Sequence, residues 1–189
     1  MAEAEHEEHA IILDFLQYGY PFDTRPMHRK SSIAQAIGKN LFFLLELVPK
    51  KGVNLQPGDE VYIGTGKRDQ VHHISGKINL DKLTQTARNE LDLLLQQMVA
   101  DNESRFVEFF NTALPINTRR HQLELLPGVG KKHMWDIISQ REEKPFESFK
   151  DLRERVKLMP DPRMAIVKRI LIELAGSDKY HLFVGSNIK

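Results

Sequence analysis

The hydrophobic period changes once along this chain, at about Asp81, and no other feature limits the fold as much. Before it, apolar residues gather in short runs: 10–20, 32–37, 41–48, 60–64 and 70–78. Gly, Pro, Asn and Asp separate them, as in Gly38-Lys39-Asn40 and the loop between Pro49 and Gly58. Runs of this length with this punctuation predict five strands. After Asp81 the apolar residues recur at helical spacing, first at Leu83, Ala87, Leu91, Leu94, Leu95 and Met98. A β-segment followed by helices reads as an α+β chain.

The helical part divides further. Asn102 is placed to cap a helix over 103–112 whose apolar face is Phe106, Phe109, Phe110 and Ala113. Leu114-Pro115 ends it, and Asn117 or Thr118 starts a short helix with Leu123 and Leu126 inward. The next helix, 131–140, carries Met134, Trp135, Ile137 and Ile138. Pro145 stops it, Ser148 caps 149–156, and a last helix over 163–174 ends at Gly176. The tail from Ser177 holds Tyr180, Leu182, Phe183 and Val184 and is predicted to dock.

Composition excludes several classes. With no Cys among 189 residues there is no disulfide, iron–sulfur cluster or cysteine nucleophile, which fits the cytoplasm. No apolar run approaches the roughly 20 residues of a membrane span, so no membrane partner is expected. The acidic segment 1–9 lacks the basic and apolar regions of a secretory signal. Net charge is +1, but its distribution is uneven. Residues 117–175 hold thirteen Lys or Arg against nine Asp or Glu, whereas 81–116 are acidic. Basic stretches attract phosphate, although such modest excesses also occur on ordinary solvated surface.

The stretch Leu125-Leu126-Pro127-Gly128-Val129-Gly130-Lys131-Lys132 carries the chemistry. A Gly-x-Gly turn that opens a helix aims backbone N–H groups and the positive end of the helix dipole at an anion. Gly128 and Gly130 permit a tight bend with no side chain between amide and phosphate, and Val129 plugs the core between the helices. Lys131 and Lys132 are placed to pair with phosphate oxygens, and His133 to add a hydrogen bond. A second turn, Leu158-Met159-Pro160-Asp161-Pro162-Arg163, follows after one helix and a connector. It lacks the glycines and is expected to be structural. The pair resembles a tandem helix-hairpin-helix unit with a degenerate second half. The connector Pro145-Phe146-Glu147-Ser148-Phe149-Lys150-Asp151-Leu152 is similar to the run that joins the two halves of such domains.

Further candidates lie in the β-segment. The loop Thr65-Gly66-Lys67-Arg68 is basic, and Arg25, Arg29 and Lys30 lie in another polar loop. Tyr18, Tyr20, Phe22 and Tyr62 are candidate base platforms, with core packing as the plainer reading for each. Gly64-Thr65-Gly66-Lys67 fails the phosphate-binding loop pattern, because Val61 stands at its first glycine and Arg68 follows the lysine. His6-Glu7-Glu8-His9 has the wrong spacing for a zinc site, and His72-His73 in a strand should point to opposite faces. Asp151 stands where base-excision glycosylases with this hairpin keep a catalytic Asp, but the helical domain that builds their base pocket has strands in its place. No metal, cofactor or catalytic residue is expected.

Taken together, the chain resembles an uncharacterised archaeal domain-of-unknown-function family regarded as RNA-binding. The resemblance runs from about Ala10 to Ala175 and rests on Gly128-Val129-Gly130 with its connector and on segments 41–48 and 55–63. It implies a five-stranded OB-like β-barrel over 1–80, connecting helices over 81–116, and a tandem helix-hairpin-helix domain with its tail over 117–189. The expected function is non-enzymatic, sequence-independent nucleic-acid binding, RNA before DNA, through Gly128, Val129, Gly130, Lys131, Lys132 and His133, with Lys67 and Arg68 on a second surface. The alternative is a protein-interaction module with a protein partner in a ribonucleoprotein, translation or replication assembly. A nuclease or glycosylase ranks last.

Overall fold

A computed structural model describes residues 6–185. Five strands, β1 (His9–Leu16), β2 (Ile33–Gly38), β3 (Leu44–Pro49), β4 (Glu60–Tyr62) and β5 (Val71–Lys77), form one antiparallel sheet in the order β4-β1-β2-β3-β5. Register slips once between β1 and β2 and twice between β3 and β5. Each slip inserts a residue on one strand, which bends the strand and increases its twist. The sheet is therefore curled into a half-barrel. The slip at Leu13 also breaks the alternation of β1, so that Ile12 and Leu13 are both buried.

Every residue of β2 is buried. That includes Gln35, whose amide must find partners in the core. Its Nε2 donates to the Tyr20 hydroxyl at 3.0 Å and to the Lys82 carbonyl at 3.0 Å, and its Oε1 accepts the Thr84 N–H at 2.9 Å. Thr84 in turn donates its hydroxyl to Asp14 at 2.6 Å. One buried amide thus ties the middle of the sheet to the start of the first helix.

Helices α1 (Gln85–Asp101), α2 (Glu103–Thr112), α3 (Lys131–Glu143), α4 (Phe149–Arg155) and α5 (Pro162–Leu174) follow. In place of the helix predicted from Asn117 or Thr118, the chain makes a small hairpin, β6 (Pro115–Asn117) and β7 (Arg120–His121), then a 3-10 turn over Gln122–Leu125. The physical reason is local. Asn117 Oδ1 takes the Arg119 N–H at 2.9 Å, which closes a turn and caps nothing. The cap is His121: its Nδ1 accepts the Leu123 N–H at 3.1 Å while Glu124 accepts the His121 N–H at 2.8 Å. Leu123 and Leu126 are buried as predicted. Asn102 stands at the start of α2, but its amide donates to the Met98 carbonyl at 3.0 Å and closes α1 instead of capping α2. Ser148 does cap α4, accepting the Asp151 N–H at 3.0 Å.

The chain forms two compact units. One holds the described residues up to Leu94 and those from Glu173 onward; the other is Leu95–Ile172. These divisions fall inside α1 and near the end of α5, whereas the boundaries expected from the sequence fall at 80/81 and 116/117. In the first unit the tail is docked. The buried Glu173 carboxylate accepts N–H groups from Leu182, Phe183 and Val184 at 2.8–3.0 Å, and Gly185 donates to the Leu41 carbonyl at 2.9 Å.

Candidate functional site

The turn before α3 is built from residues with separate jobs. Gly128 has φ +85°, a left-handed conformation that favours glycine, and a Cβ there would stand 3.2 Å from Pro160 Cγ. The first turn is thereby packed on the second. Val129 is buried, as expected, and its N–H donates to the Leu126 carbonyl at 3.0 Å. That amide closes the turn, so the outward donors are those of the first turn of α3.

Gly130 differs from Gly128. Its φ of −91° and ψ of −175° are extended backbone that any residue adopts, and a Cβ on it would meet no atom within 4 Å. It is the N-cap of α3, and it supplies no side-chain cap. The N–H groups of Lys131, Lys132 and His133 have no acceptor within their own helix. The helix's first bond back to the turn runs from the Met134 N–H to the Gly130 carbonyl at 3.0 Å. Lys131 and Lys132 are exposed and His133 is half-buried.

The second turn has no such opening. The Asp161 carboxylate accepts the Arg163 N–H at 2.9 Å and the Met164 N–H at 3.3 Å, so the start of α5 is filled by its own side chain. Leu158, at φ +57°, stands 88% exposed there. The connector between α3 and α5 is held by Arg155. Its guanidinium donates to the carbonyls of Gln140 and Lys144 at the end of α3, pairs with Asp151 at 3.2 Å, and lies 4.6 Å from the Phe146 ring centre. Asn111 clasps the backbone of Phe146 through both ends of its amide.

In the sheet unit, the loop between β4 and β5 wraps around Tyr62. The Tyr62 hydroxyl accepts the Gly66 N–H at 3.0 Å, and a Cβ at Gly64 or Gly66 would collide with the phenol. Those glycines are required by the ring beneath them. Arg68 folds back to donate to the Gly64 carbonyl at 2.8 Å, and Lys50 donates to the Arg68 carbonyl. Lys67 is exposed. Tyr62 is thus part of the loop's frame. Tyr20 is framework as well. Burial, then its 2.7 Å hydrogen bond to Glu46, pushes its phenol up to about 12, while its ring stacks on Phe22 at 5.0 Å. Tyr18 and Phe22 are exposed.

One group of residues was not legible in the sequence. Arg119, Arg120, His121, Glu124, Lys131, Trp135, Ile138 and Arg141 line a cleft of about 510 Å³ between the β6–β7 hairpin and α3. Trp135, expected on one helix with Met134, Ile137 and Ile138, is 63% exposed. The buried residues of α3 are Met134 and Ile137, and Trp135 stands about 100° around the helix from Met134. Helical arithmetic on α3 is the signal that finds it.

Against known proteins, residues 6–185 match the family described as protein of unknown function, DUF655. The chain belongs to the DUF655 family. It is similar to the uncharacterized protein MJ0038 of Methanocaldococcus jannaschii, with 47% identity over 180 residues that span 94% of this chain and 80% of the relative. It is also similar to the crystal structure of Af1531 from Archaeoglobus fulgidus, itself assigned to DUF655. There the TM-score is 0.87 at 45% identity, over 95% of this chain and the whole of the other.

For this DUF655 chain the remaining candidates resolve as follows. Glu7 is buried over Gly38, and its carboxylate accepts the N–H groups of Asn40 and Leu41. His72 and His73 do not point to opposite faces. The register slip between Val48 and Pro49 lets both be exposed, with their Nδ1 atoms 2.8 Å apart. Among the described residues no three His, Asp or Glu gather as metal ligands, and no helix is long and apolar enough to cross a membrane. Asp151 pairs with Arg155 and accepts the Glu147 N–H at 3.1 Å.

Proposed function

We propose that this chain binds nucleic acid through the phosphate backbone, without reading sequence, and that the turn from Gly128 to Lys132 is the grip. The observation that carries the reading is Gly130. Nothing in the fold requires glycine there, so the space above it is kept clear for something from outside. Backbone N–H groups at a helix start, with no side-chain cap and two exposed lysines beside them, suit a phosphate.

The rest of the molecule agrees with this role. Two turns packed through Gly128 and Pro160, with the Arg155-clamped connector, support reading residues 118–174 as a tandem helix-hairpin-helix unit whose first turn grips phosphate. The strand order supports an OB-like barrel as a second surface. Such barrels bind oligonucleotides with the loops between strands 1 and 2 and between strands 4 and 5. Here those loops present Tyr18, Phe22 and Lys67. Arg68 braces the second loop. RNA is favoured over DNA by the barrel and by the family resemblance. The role needs no cofactor or catalytic group and suits the cytoplasm. A protein-interaction module is the weaker reading, because Phe183 and Val184 are buried and the tail offers these two apolar side chains to no partner.

The test is a titration of labelled RNA and duplex DNA with the wild type and with the double variant Lys131→Glu/Lys132→Glu. Binding should weaken with salt, and the double variant should flatten the log–log salt slope by about 2. Equal binding by the two proteins, or no binding by either at low salt, refutes the proposal.

A further inference from the structure

We infer that the cleft between the β6–β7 hairpin and α3 seats an unpaired base of a bound nucleic-acid strand, stacked on Trp135. The inference rests on the phosphate grip proposed for the neighbouring turn and names the form of nucleic acid it takes. Three observations lead to it.

The first is Trp135 itself. Its indole is 63% exposed on a helix whose Met134 and Ile137 are buried. Large aromatic rings are kept exposed where they meet a partner's flat apolar face, and nucleobases stack on them irrespective of sequence. The second is charge. Arg119, Arg120, Lys131 and Arg141 line the same cleft, against one carboxylate, Glu124. Glu124 accepts the His121 N–H, and burial, followed by the nearby Arg141 charge, lowers the His121 pKa and favours the neutral ring. The lining is therefore cationic around an aromatic plane, which suits an anionic strand with exposed bases. The third is spacing. Lys131 belongs to both the turn and the cleft, and Trp135 follows it by four residues on the same helix face, about 6 Å along the axis. A strand whose phosphate sits at the start of α3 then has its base at the level of the indole. A duplex keeps its base faces stacked inside and offers none to the indole.

Trp135 is the single tryptophan of the chain, so its emission reports this cleft alone. Wild type is titrated at low salt with an unstructured oligouridylate, with an RNA duplex of equal length, and with UMP. The expected result is saturable quenching by the oligouridylate and little by the duplex. Trp135→Ala should lose roughly 5- to 100-fold in affinity for the single strand and keep duplex affinity within about twofold, with Trp135→Phe close to wild type. Thermal unfolding confirms that both variants fold. Single-strand binding with unquenched emission and unchanged Trp135→Ala affinity overturns the inference while leaving the phosphate grip standing. Quenching by UMP at the same nucleotide concentration reassigns the cleft to free nucleotides and also overturns it. Absence of binding by any of the three removes both readings.

Discussion

Two glycines, two residues apart, should respond to substitution in opposite ways. Gly130→Ser places a serine at an N-cap whose backbone, φ −91° and ψ −175°, is already extended. The chain uses that residue at the start of α4, where Ser148 caps with a comparable backbone, φ −157° and ψ 166°. Serine gains a few tenths of a kcal/mol over glycine as a cap. Relieving the unfolded chain of glycine's freedom adds about 0.4–1 kcal/mol. No atom lies within 4 Å to oppose the new Cβ. The sum, about 1 kcal/mol, raises Tm by about 2–4 °C for a chain of this size. The same hydroxyl takes the N–H groups of Lys132 or His133 from any phosphate, so affinity should fall by about tenfold or more, the worth of one charge-assisted hydrogen bond. Gly128→Ala should do the reverse of stabilising. Its φ of +85° costs a side chain about 1–3 kcal/mol, and Pro160 must also move. Thermal unfolding and anisotropy with labelled RNA measure both quantities on each variant. Wild-type affinity in Gly130→Ser would place the phosphate elsewhere, and a lower Tm would refute the reading of its backbone.

Two further outcomes follow from the second unit. His121 caps as a neutral ring through Nδ1, and burial with the Arg141 charge holds its pKa below the ordinary 6.5. The unfolded chain then takes up a proton near pH 6.5 that the folded chain resists, so stability is full above that pH and falls as the solution is acidified below it. His121→Asn, which keeps an acceptor and does not titrate, should flatten Tm between pH 7.5 and 5, and an equal slope in both proteins would contradict the assignment. Arg155→Met keeps the apolar stem over Phe146 but takes its donor from the Lys144 carbonyl and leaves the Gln140 carbonyl only the Lys144 N–H. A loss of about 2–3 kcal/mol in denaturant unfolding is expected, and a change under about 0.5 kcal/mol would show that the connector is held by other groups.

Elements long enough to show a period were legible in the sequence. The five strands lie within a few residues of their apolar runs, α3 and α4 start after Gly130 and Ser148 as read, and α5 starts at Pro162, one residue before the expected 163. Elements shorter than one period were not. The β6–β7 hairpin spans seven residues, and only Asn117 bonding to Arg119 decides that it turns. The same limit hid the cleft, since half of its lining comes from that hairpin. The turn itself was legible as a pair of glycines, but not the division of labour between them. That division depends on Pro160, which lies two helices and a connector away, and on empty space above Gly130, which no residue spacing records. The histidine pair failed for a related reason, because a register slip reversed an alternation that a straight strand would keep.

The docked tail has a consequence for the order in which the protein is made. Glu173 and residues 182–185 belong with a sheet whose last strand ends at Lys77, so synthesis of the entire second unit intervenes before the first can be completed. Leu95–Ile172 is a continuous stretch, made before Glu173 and the tail. On the ribosome the second unit is therefore positioned to fold first, although it is encoded in the middle, and the sheet waits for the tail. During that interval the curled sheet lacks Phe183 and Val184 and leaves the Leu41 carbonyl without its donor. A nascent chain paused between the two stages presents apolar surface, and it is at this stage that demand for chaperones should be greatest.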